Sequence, residues 1–259
     1  MTTSQRRTKQ ILIATVYAVI NITLIASIVF TAWPRQPEEI VDAPEVPDPL
    51  TVTDPQLLPL DNGNADLIAM ISNPNDGFGA DQVRYEFVLQ NAAGDEQTVP
   101  GTTFVLPGDR QRYVLALNYP VGQYSLVDFR LVNEPSWMTL SRFDLPELVV
   151  RQVRTGISQK AGNFFTLDGV VTNTSPYNLR QVNLVAIITS PQGEIVGVNR
   201  TFVRDVLATE AREFEMIWND PIPDSLIGNV QVFPYSNVLA DEEFLIRRVN
   251  QPVSTDLSN

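Results

Sequence analysis

The feature that most constrains the fold of this chain is a pattern that occurs twice, about a hundred residues apart. The segments "LIAMISNPNDGFG" and "LDGVVTNTSPYN" each run from apolar residues through an asparagine, at Asn73 and Asn173, into a polar turn. Around both segments apolar and polar residues alternate, and clusters of Gly, Pro, Asn and Asp interrupt the alternation. A period of two is typical of half-buried β-strands, and short strands separated by turns are typical of an antiparallel sandwich.

The two copies stay in step beyond this motif. Val83 corresponds to Val182 and Gly94 corresponds to Gly193, so the offset remains close to 100 residues while strands align with strands and turns with turns. The last strand of each copy contributes three residues that we predict to face the core of that copy. They are Tyr113, Leu115 and Leu117 in the first copy and Phe214, Met216 and Trp218 in the second.

The repeat predicts an all-β fold with two tandem immunoglobulin-like antiparallel β-sandwiches, and the sequence before it predicts one transmembrane α-helix. The sandwiches occupy residues 50–146 and 147–249, and each has the length that is typical of a seven-stranded immunoglobulin-like domain. The polar residues 250–259 are predicted to form a flexible tail.

The predicted membrane anchor is residues 11–33, which carry no charge. As a helix with a rise of 1.5 Å per residue they would span roughly 34 Å, enough for a hydrocarbon layer of about 30 Å. Arg6, Arg7 and Lys9 precede the segment and acidic residues follow it, so the positive-inside rule places the N-terminus in the cytoplasm. Trp33 would lie at the membrane interface, where indole rings are favoured. We therefore predict a single pass through the cell membrane with the remaining chain outside the cytoplasm.

A cleaved signal peptide is the alternative to this anchor. Its apolar region would be about 7–15 residues long and would end at a site with small residues. Here the apolar run is longer, and a cleavage after Ala32 would have the bulky Phe30 two residues upstream. The sequence therefore favours an uncleaved anchor behind a cytoplasmic stub at 1–10.

One face of the predicted helix carries small residues and an amide. Ala14, Ala18 and Asn21 lie at helical spacing, and such residues can join helices in lipid. This face could pair two copies into a homo-oligomer or contact another helix. The alternative is a tolerated amide that has no partner.

Acidic residues outnumber basic ones in this chain. The formal net charge of −12 disfavours nucleic acid as a partner, because the surface repels phosphate groups. Proline and acidic residues are concentrated at 34–49, where no apolar period occurs. This composition predicts a semi-rigid, solvated linker, with an acidic docking motif as the alternative.

Catalytic chemistry has little support in the sequence. The chain contains neither Cys nor His, which removes the thiolate nucleophile and the commonest general base. Ser158 and Lys160 lie in a predicted hairpin without the spacing of a Ser–Lys motif. Glu213 and Glu215 share a strand face that points away from the predicted core. We therefore predict a non-enzymatic protein without catalytic residues, metal ligands or a cofactor.

Two loop clusters carry side chains with hard oxygen atoms, and calcium is the ion that such clusters could bind. Neither has the spacing of an EF-hand with its terminal glutamate, and Asn, Asp and Gly also form turns by themselves. The sequence therefore favours turns. The residues are Asp61, Asn62, Asn64 and Asp66 in the first cluster and Asn73, Asn75, Asp76 and Asp81 in the second.

The strand "QVNLVAIIT" in the second copy is apolar on both faces. Val185 and Ile187 occupy the face on which the first copy carries Arg84 and Glu86. This face could contact the neighbouring sandwich or a partner protein. The alternative is a central strand that is covered by its own flanking residues.

The second copy resembles the FxLYD family of bacterial immunoglobulin-like domains. The resemblance rests on "LDGVVTNTS", "VNLVAIITSPQGEIVG" and "LATEAREFEMIW", and it departs from the family pattern at the Tyr-Asp pair, replaced by Thr189 and Ser190, and at the corner glycine, replaced by Thr209. The first copy keeps "LPGD" at the corner. The resemblance implies a β-sandwich behind an N-terminal anchor and no catalytic residue. The matching positions are Gly169, Val171, Asn173, Gly193, Leu207 and Phe214.

The function expected from the sequence is that of a single-pass membrane protein that presents two extracytoplasmic immunoglobulin-like domains. They would serve protein binding, spacing or contact with an envelope polymer, and the lipid bilayer is the other partner. The alternative is an accessory or assembly subunit of a larger membrane complex, which would contact that complex mainly through the transmembrane helix.

Overall fold

In the computed structural model, the described residues are 46–140, 145–158, 164–218, 220, 222–241 and 244. The predicted stub, transmembrane helix and tail, and most of the predicted linker, lie outside them. The chain divides into two units, Met1–Val46 and Pro47–Asn259, and the described residues belong almost entirely to the second. Within this part of the chain, no helix is long and apolar enough to cross a membrane.

The described residues form an all-β fold of antiparallel strands. The first half contains β1 (Thr51–Val52), β2 (Gln56–Pro59), β3 (Ala65–Ser72), β4 (Phe78–Gln90), β5 (Glu96–Val105), β6 (Arg112–Tyr119), β7 (Ser125–Leu131) and β8 (Met138–Thr139). The second half contains β9 (Leu148–Ser158), β10 (Phe164–Asn173), β11 (Leu179–Thr189), β12 (Ile195–Val206), β13 (Ala211–Trp218) and β14 (Asn229–Tyr235). Two short 3-10 helices, Asp224–Leu226 and Val238–Ala240, flank β14.

These strands form four sheets, which we name after their central strands. In the β3 sheet, β6 lies along one edge and β1 and β2 along the other; in the β4 sheet, β4 pairs with β5, β7 and β8. In the β10 sheet, β10 lies between β13 and β9, and in the β11 sheet, β11 lies between β12 and β14. Strand order is therefore equivalent in the two halves, with β9 in the place of β1 and β2.

Each half encloses its own apolar core between its two sheets. In the first half, Leu67 of β3 and Phe87 of β4 are fully buried in one cluster. In the second half, Leu167 of β10 and Leu184 of β11 are fully buried in another. Because alternate side chains on a strand point to opposite faces, each sheet contributes every second residue to its core.

The repeated asparagines perform the same structural task in both halves. Asn73 and Asn173 are fully buried. The Asn73 amide donates hydrogen bonds to the carbonyls of Phe78, at 2.7 Å, and Leu106, at 2.9 Å. The Asn173 amide donates to the carbonyls of Tyr177, at 2.8 Å, and Leu207, at 3.0 Å. Each amide thereby ties the turn after its strand to the corner before β6 or β13, which satisfies carbonyls that are removed from water.

The prediction for β6 was wrong by one residue. Val114, not Tyr113 or Leu115, faces the core of the first half. The strand is apolar on both faces, and alternation alone led us to assign its larger side chains to the core. The strand register shows this shift. Arg112 pairs with Ile71 in the first half, and Arg212 pairs with Val171 at the equivalent place in the second half. Val114 is therefore equivalent to Phe214, one residue later than predicted. The prediction for Phe214, Met216 and Trp218 is confirmed, since all three pack in the second core.

Candidate functional site

The two halves meet through the outer faces of the β3 sheet and the β11 sheet. Ile68 and Leu115 of the first half form one buried apolar cluster with Val185, Ile187 and Val198 of the second. None of the five is more than 6% exposed. The sheets therefore follow one another in four layers, in the order β4, β3, β11 and β10, and burial of apolar area stabilises the junction between the middle two.

The face predicted as an interaction surface lies in this junction. Val185 and Ile187 pack against the first half of the same chain and are 6% and 3% exposed, and Val185 also lines the groove described below. Ile68 and Leu115 supply the opposing surface, and it is these residues that make the outer face of the first half apolar.

A buried arginine marks one end of the junction. Arg112 is 3% exposed, and its Nε donates to the carboxylate of Asp109 at 2.8 Å. The guanidinium also lies over the rings of Phe104, at 4.0 Å, and Tyr235, at 3.9 Å. Burial lowers the pKa of Arg112, and Asp109 opposes this shift. The two aromatic rings and the carboxylate compensate for the removal of the cation from water.

Tyr235 joins β14 of the second half to β6 of the first. Its hydroxyl donates to the carbonyl of Gln111 at 2.7 Å and accepts from the N–H of Tyr113 at 3.3 Å. Burial raises the pKa of Tyr235 above its ordinary value, while the charge of Arg112 opposes the shift. The hydroxyl therefore stays protonated and can act as donor and acceptor at once.

A second polar cluster lies around Asp66, which is 7% exposed and accepts a hydrogen bond from the N–H of Asn118 at 2.7 Å. Burial raises the pKa of the Asp66 carboxyl; the hydrogen bond from Asn118 opposes this shift, and the charge of Asp220 adds to it. A cavity of about 130 Å³ lies here between the halves, lined also by Asn199 and Trp218. The buried indole N–H of Trp218 has no hydrogen-bond partner in the described chain.

The candidate functional site is a groove of about 540 Å³ beside β6. Four consecutive residues of β6 form its floor, so the groove faces the edge of this strand rather than one of its faces. Consecutive residues of β5 and of β12 form the two walls. The residues are Arg112, Tyr113, Val114 and Leu115 on the floor, Thr102, Thr103 and Phe104 on one wall, and Arg200, Thr201 and Phe202 on the other. Ligand sites commonly have volumes of about 300–1,000 Å³ and often lie where two domains meet.

The groove combines aromatic and cationic groups. Phe202 is 51% exposed at its rim. Arg200 is exposed and makes no ion pair with any described residue. Tyr85 reaches the groove from the core, and burial raises the pKa of its hydroxyl while the nearby charge of Arg200 opposes the shift. The cation recorded at the Phe202 ring is Arg204, whose guanidinium lies 4.9 Å from the ring centroid. A cation without a counterion, such as Arg200, can bind an anionic group.

The predicted membrane residues precede the part of the chain that the structure describes. Arg6, Arg7, Lys9 and Trp33, and the predicted helix-pairing residues Ala14, Ala18 and Asn21, lie outside the described residues, as does Lys160.

Several of the loop side chains considered for calcium make hydrogen bonds within the fold. The Asn62 side chain accepts from the N–H of Asn64 and donates to the side chain of Asn118. Asp48 and Asn75 exchange two hydrogen bonds, which fix the end of the predicted linker to the first half. Among the described residues, no group of three or more Asp or Glu side chains is arranged to hold a metal ion.

The carboxylates of β13 are at the surface. Glu213 and Glu215 are exposed, while Phe214 between them faces the core, which is the arrangement predicted from alternation. Exposed carboxylates on an open sheet face lack the enclosure that general acid catalysis requires.

Sequence reasoning missed the groove and the residues that build it. Arg112 and Tyr235 come together only because two halves of the chain pack on each other, and they are separated by more than a hundred positions. The one available signal was the doubly apolar strand β6, which resembles β11 in having no polar face.

Comparison with known proteins adds little to this geometry. No protein-family model matches the sequence, and no curated protein matches it. Among solved structures, red sea bream transglutaminase is similar to 74% of this chain with 13% sequence identity and a TM-score of 0.21. The chain spans about a third of the length of that protein, since the match covers 31% of it.

Proposed function

We propose that this chain is a non-enzymatic, single-pass membrane protein that presents two immunoglobulin-like domains of the FxLYD type outside the cytoplasm for protein binding. The support from the sequence is the apolar segment at 11–33 with basic residues before it. The observation that carries the binding role is the junction between the β3 sheet and the β11 sheet, which holds the two halves face to face and encloses a groove between them.

Face-to-face packing favours binding over spacing. Two sandwiches joined end to end would roughly double the reach of the protein from the membrane, whereas two sandwiches packed side by side add surface rather than length. A buried apolar junction also resists hinge motion between the halves, because opening it would expose apolar area to water. Packing of the two halves therefore forms one composite surface with a fixed groove, and a binding module requires such a preorganised surface.

The absence of cysteine from the sequence makes the proposed topology directly testable. Single cysteines would be introduced as Thr3→Cys in the predicted stub and Ile157→Cys on β9, where the native side chain is 64% exposed. A membrane-impermeant maleimide added to intact cells or spheroplasts should label the second variant and label the first only after lysis. Labelling of Thr3→Cys in intact cells, or failure to label Ile157→Cys there, would contradict the proposal. Leu184→Cys, at a fully buried position, controls for labelling of unfolded chains.

A helix exchange separates this function from that of an accessory subunit held by its anchor. Residues 11–33 would be replaced by an unrelated apolar span of the same length, and the proteins cross-linked to the chain in the cell envelope would be compared. A binding function of the described domains predicts that the same neighbours are recovered. Loss of all neighbours on exchange would assign the contact to the helix face with Ala14, Ala18 and Asn21.

A further inference from the structure

We propose that the groove beside β6 binds an extended acidic peptide segment of a partner protein, which adds to the free edge of β6 as a further strand. This inference rests on the proposed binding function and names the class of partner that the groove accepts.

The first argument is the unpaired edge of β6. The strand pairs with β3 on one side only, and in the described chain no backbone group on its other side bonds to the backbone of another strand. The hydrogen bonds of Tyr235 identify which groups point to this free side, since they engage the carbonyl of Gln111 and the N–H of Tyr113. Because backbone groups of alternate residues point the same way, the carbonyl of Tyr113 and both backbone groups of Leu115 also face the groove.

The second argument is that Tyr235 already binds this edge as a peptide would. Its hydroxyl takes one acceptor and one donor of β6, which is the pairing that a neighbouring strand would make. It thereby covers one end of the edge and leaves the following positions open. Edge strands with free backbone groups recruit extended segments, and native proteins usually protect such edges with charges, bulges or covering loops.

The third argument is the shape of the groove. The walls are themselves strands, Thr102 to Phe104 of β5 and Arg200 to Phe202 of β12, so extended backbone lies on both sides of the β6 residues that form the floor. The part of β6 that lines the groove, Arg112 to Leu115, spans about 10 Å at a rise of about 3.3 Å per residue. It therefore has room for a segment of about three or four residues in extended conformation.

The charge of the groove selects an acidic segment. The whole chain has a net charge of −12, yet the groove carries Arg200 without an ion-pair partner among the described residues. Arg112 on the floor is already paired with Asp109, so Arg200 is the cation available to a ligand. A carboxylate on the added strand would form a charge-assisted hydrogen bond with its guanidinium, and Phe202 would contact an apolar neighbour in the segment.

The test uses the full chain in nanodiscs of neutral lipid and a fluorescein-labelled, eight-residue peptide of alternating Thr and Val with one central Glu. Binding is measured by fluorescence anisotropy. Arg200→Glu should lower the affinity at least tenfold, because it replaces attraction by repulsion at the carboxylate. The matched control is Arg154→Glu, which makes the same charge change at an exposed position of β9 outside the groove and should leave the affinity unchanged.

Backbone methylation distinguishes strand addition from simple charge attraction. Two further peptides carry N-methyl groups either on the odd or on the even amides, and only one of these sets can face β6 in an added strand. One methylated peptide should bind like the parent and the other should lose binding at least tenfold. No binding of the parent peptide, equal losses in the Arg200→Glu and Arg154→Glu variants, or equal behaviour of the two methylated peptides would each overturn the inference.

Failure of this inference and failure of the proposed function are distinguishable. If the peptide does not bind while the maleimide labelling and the helix exchange give the expected results, the binding function stands and its ligand is of another class. If the labelling shows the opposite topology, the proposed function falls whether or not the peptide binds.

Discussion

Two glycines show how single residues make room for aromatic rings in this fold. A Cβ atom on Gly169 would lie 2.6 Å from the ring of Phe214, and a Cβ on Gly101 would lie 2.2 Å from the ring of Tyr85. In both cases the glycine and the aromatic residue are direct partners on neighbouring strands. An aromatic ring that covers a cross-strand glycine fills the space that the missing side chain leaves. Gly169 and Phe214 are also two of the positions on which the resemblance to the FxLYD pattern in the sequence analysis rests.

The first prediction is that Gly169→Ala lowers the free energy of unfolding by about 1–3 kcal/mol, because the added methyl group overpacks the site against the Phe214 ring. Urea unfolding followed by tryptophan fluorescence measures the change. Gly156→Ala on the adjacent strand β9 is the control, since a Cβ there meets no atom within 4 Å. Equal effects of the two substitutions would mean that the ring does not require the glycine.

The second prediction concerns pH and Asp66. Burial raises the pKa of this carboxyl in the folded state, so its contribution to stability is fully present below the ordinary aspartate pKa of about 3.9 and is lost as the pH rises through the raised folded value. Asp66→Asn keeps the oxygen that accepts from Asn118 and carries no charge, so it should raise the melting temperature at pH 7. The gain should shrink as the pH is lowered towards about 4.

The exposed Asp168→Asn is the matched control for this pH series. A gain from Asp66→Asn that is independent of pH would show that charge burial is not its cause.

At the scale of elements, β6 is the strand that relates the core, the junction and the groove. Val114 packs in the first core, Leu115 packs in the junction, and the backbone edge between them faces the groove. A strand that is apolar on both faces is typical of a sheet covered on both sides, and here the β11 sheet supplies the second cover. The equivalent strand in the second half, β13, instead exposes Glu213 and Glu215. Equivalent strands of the two halves therefore differ according to the neighbours that cover them.

The third prediction is made at this scale. Tyr235→Phe removes the hydroxyl that caps the β6 edge and should lower the free energy of unfolding by about 1–3 kcal/mol, since backbone groups at the junction lose their partner. Hydrogen–deuterium exchange should show faster exchange at the N–H of Tyr113. Tyr124→Phe is the control, because the Tyr124 hydroxyl makes no hydrogen bond with the described residues and its loss should change stability little. Unchanged exchange at Tyr113 would contradict the capping role.

The β-strand class was predictable from the sequence, and which face of a strand meets the core was predictable for β13 but not for β6. Alternation predicted Phe214, Met216 and Trp218 in a core correctly, because the opposite face of β13 is charged and leaves a single apolar face. The same reasoning failed for Tyr113, Leu115 and Leu117, because both faces of β6 are apolar and local pattern cannot rank them. Arg200 and Tyr235 carried no signal in the sequence, since their significance depends on which strands of the other half lie beside them.

For the whole molecule, the junction is what turns two similar halves into one compact unit of described residues. The corner ion pairs illustrate the asymmetry it creates. Arg112 is buried beneath Tyr235 and pairs with the half-buried Asp109, whereas the equivalent Arg212 and Glu210 stay at the surface with an N–O distance of 2.9 Å. The ion pair at this corner therefore contributes to the junction in the first half and is exposed to solvent in the second half.

The fourth prediction tests the junction by a double-mutant cycle. Leu115→Ala and Val185→Ala each remove a buried side chain from the shared cluster, and their effects on the free energy of unfolding should couple by about 0.5–3 kcal/mol. Leu115→Ala combined with Leu184→Ala is the control, because Leu184 faces the second core rather than the junction. Additive effects in both cycles would indicate that the two halves unfold without support from each other.

By itself, the sequence determined that this part of the chain forms antiparallel strands with turns at Gly94 and Gly193, because alternation and turn chemistry act over a few neighbouring residues. The tertiary structure alone decided that the halves pack through their outer faces, that Leu115 belongs to the junction rather than the core, and that Arg200 stands beside an unpaired strand edge. The physical reason is that hydrophobic burial has no direction of its own. Two apolar faces of one strand are equivalent until a second sheet covers one of them.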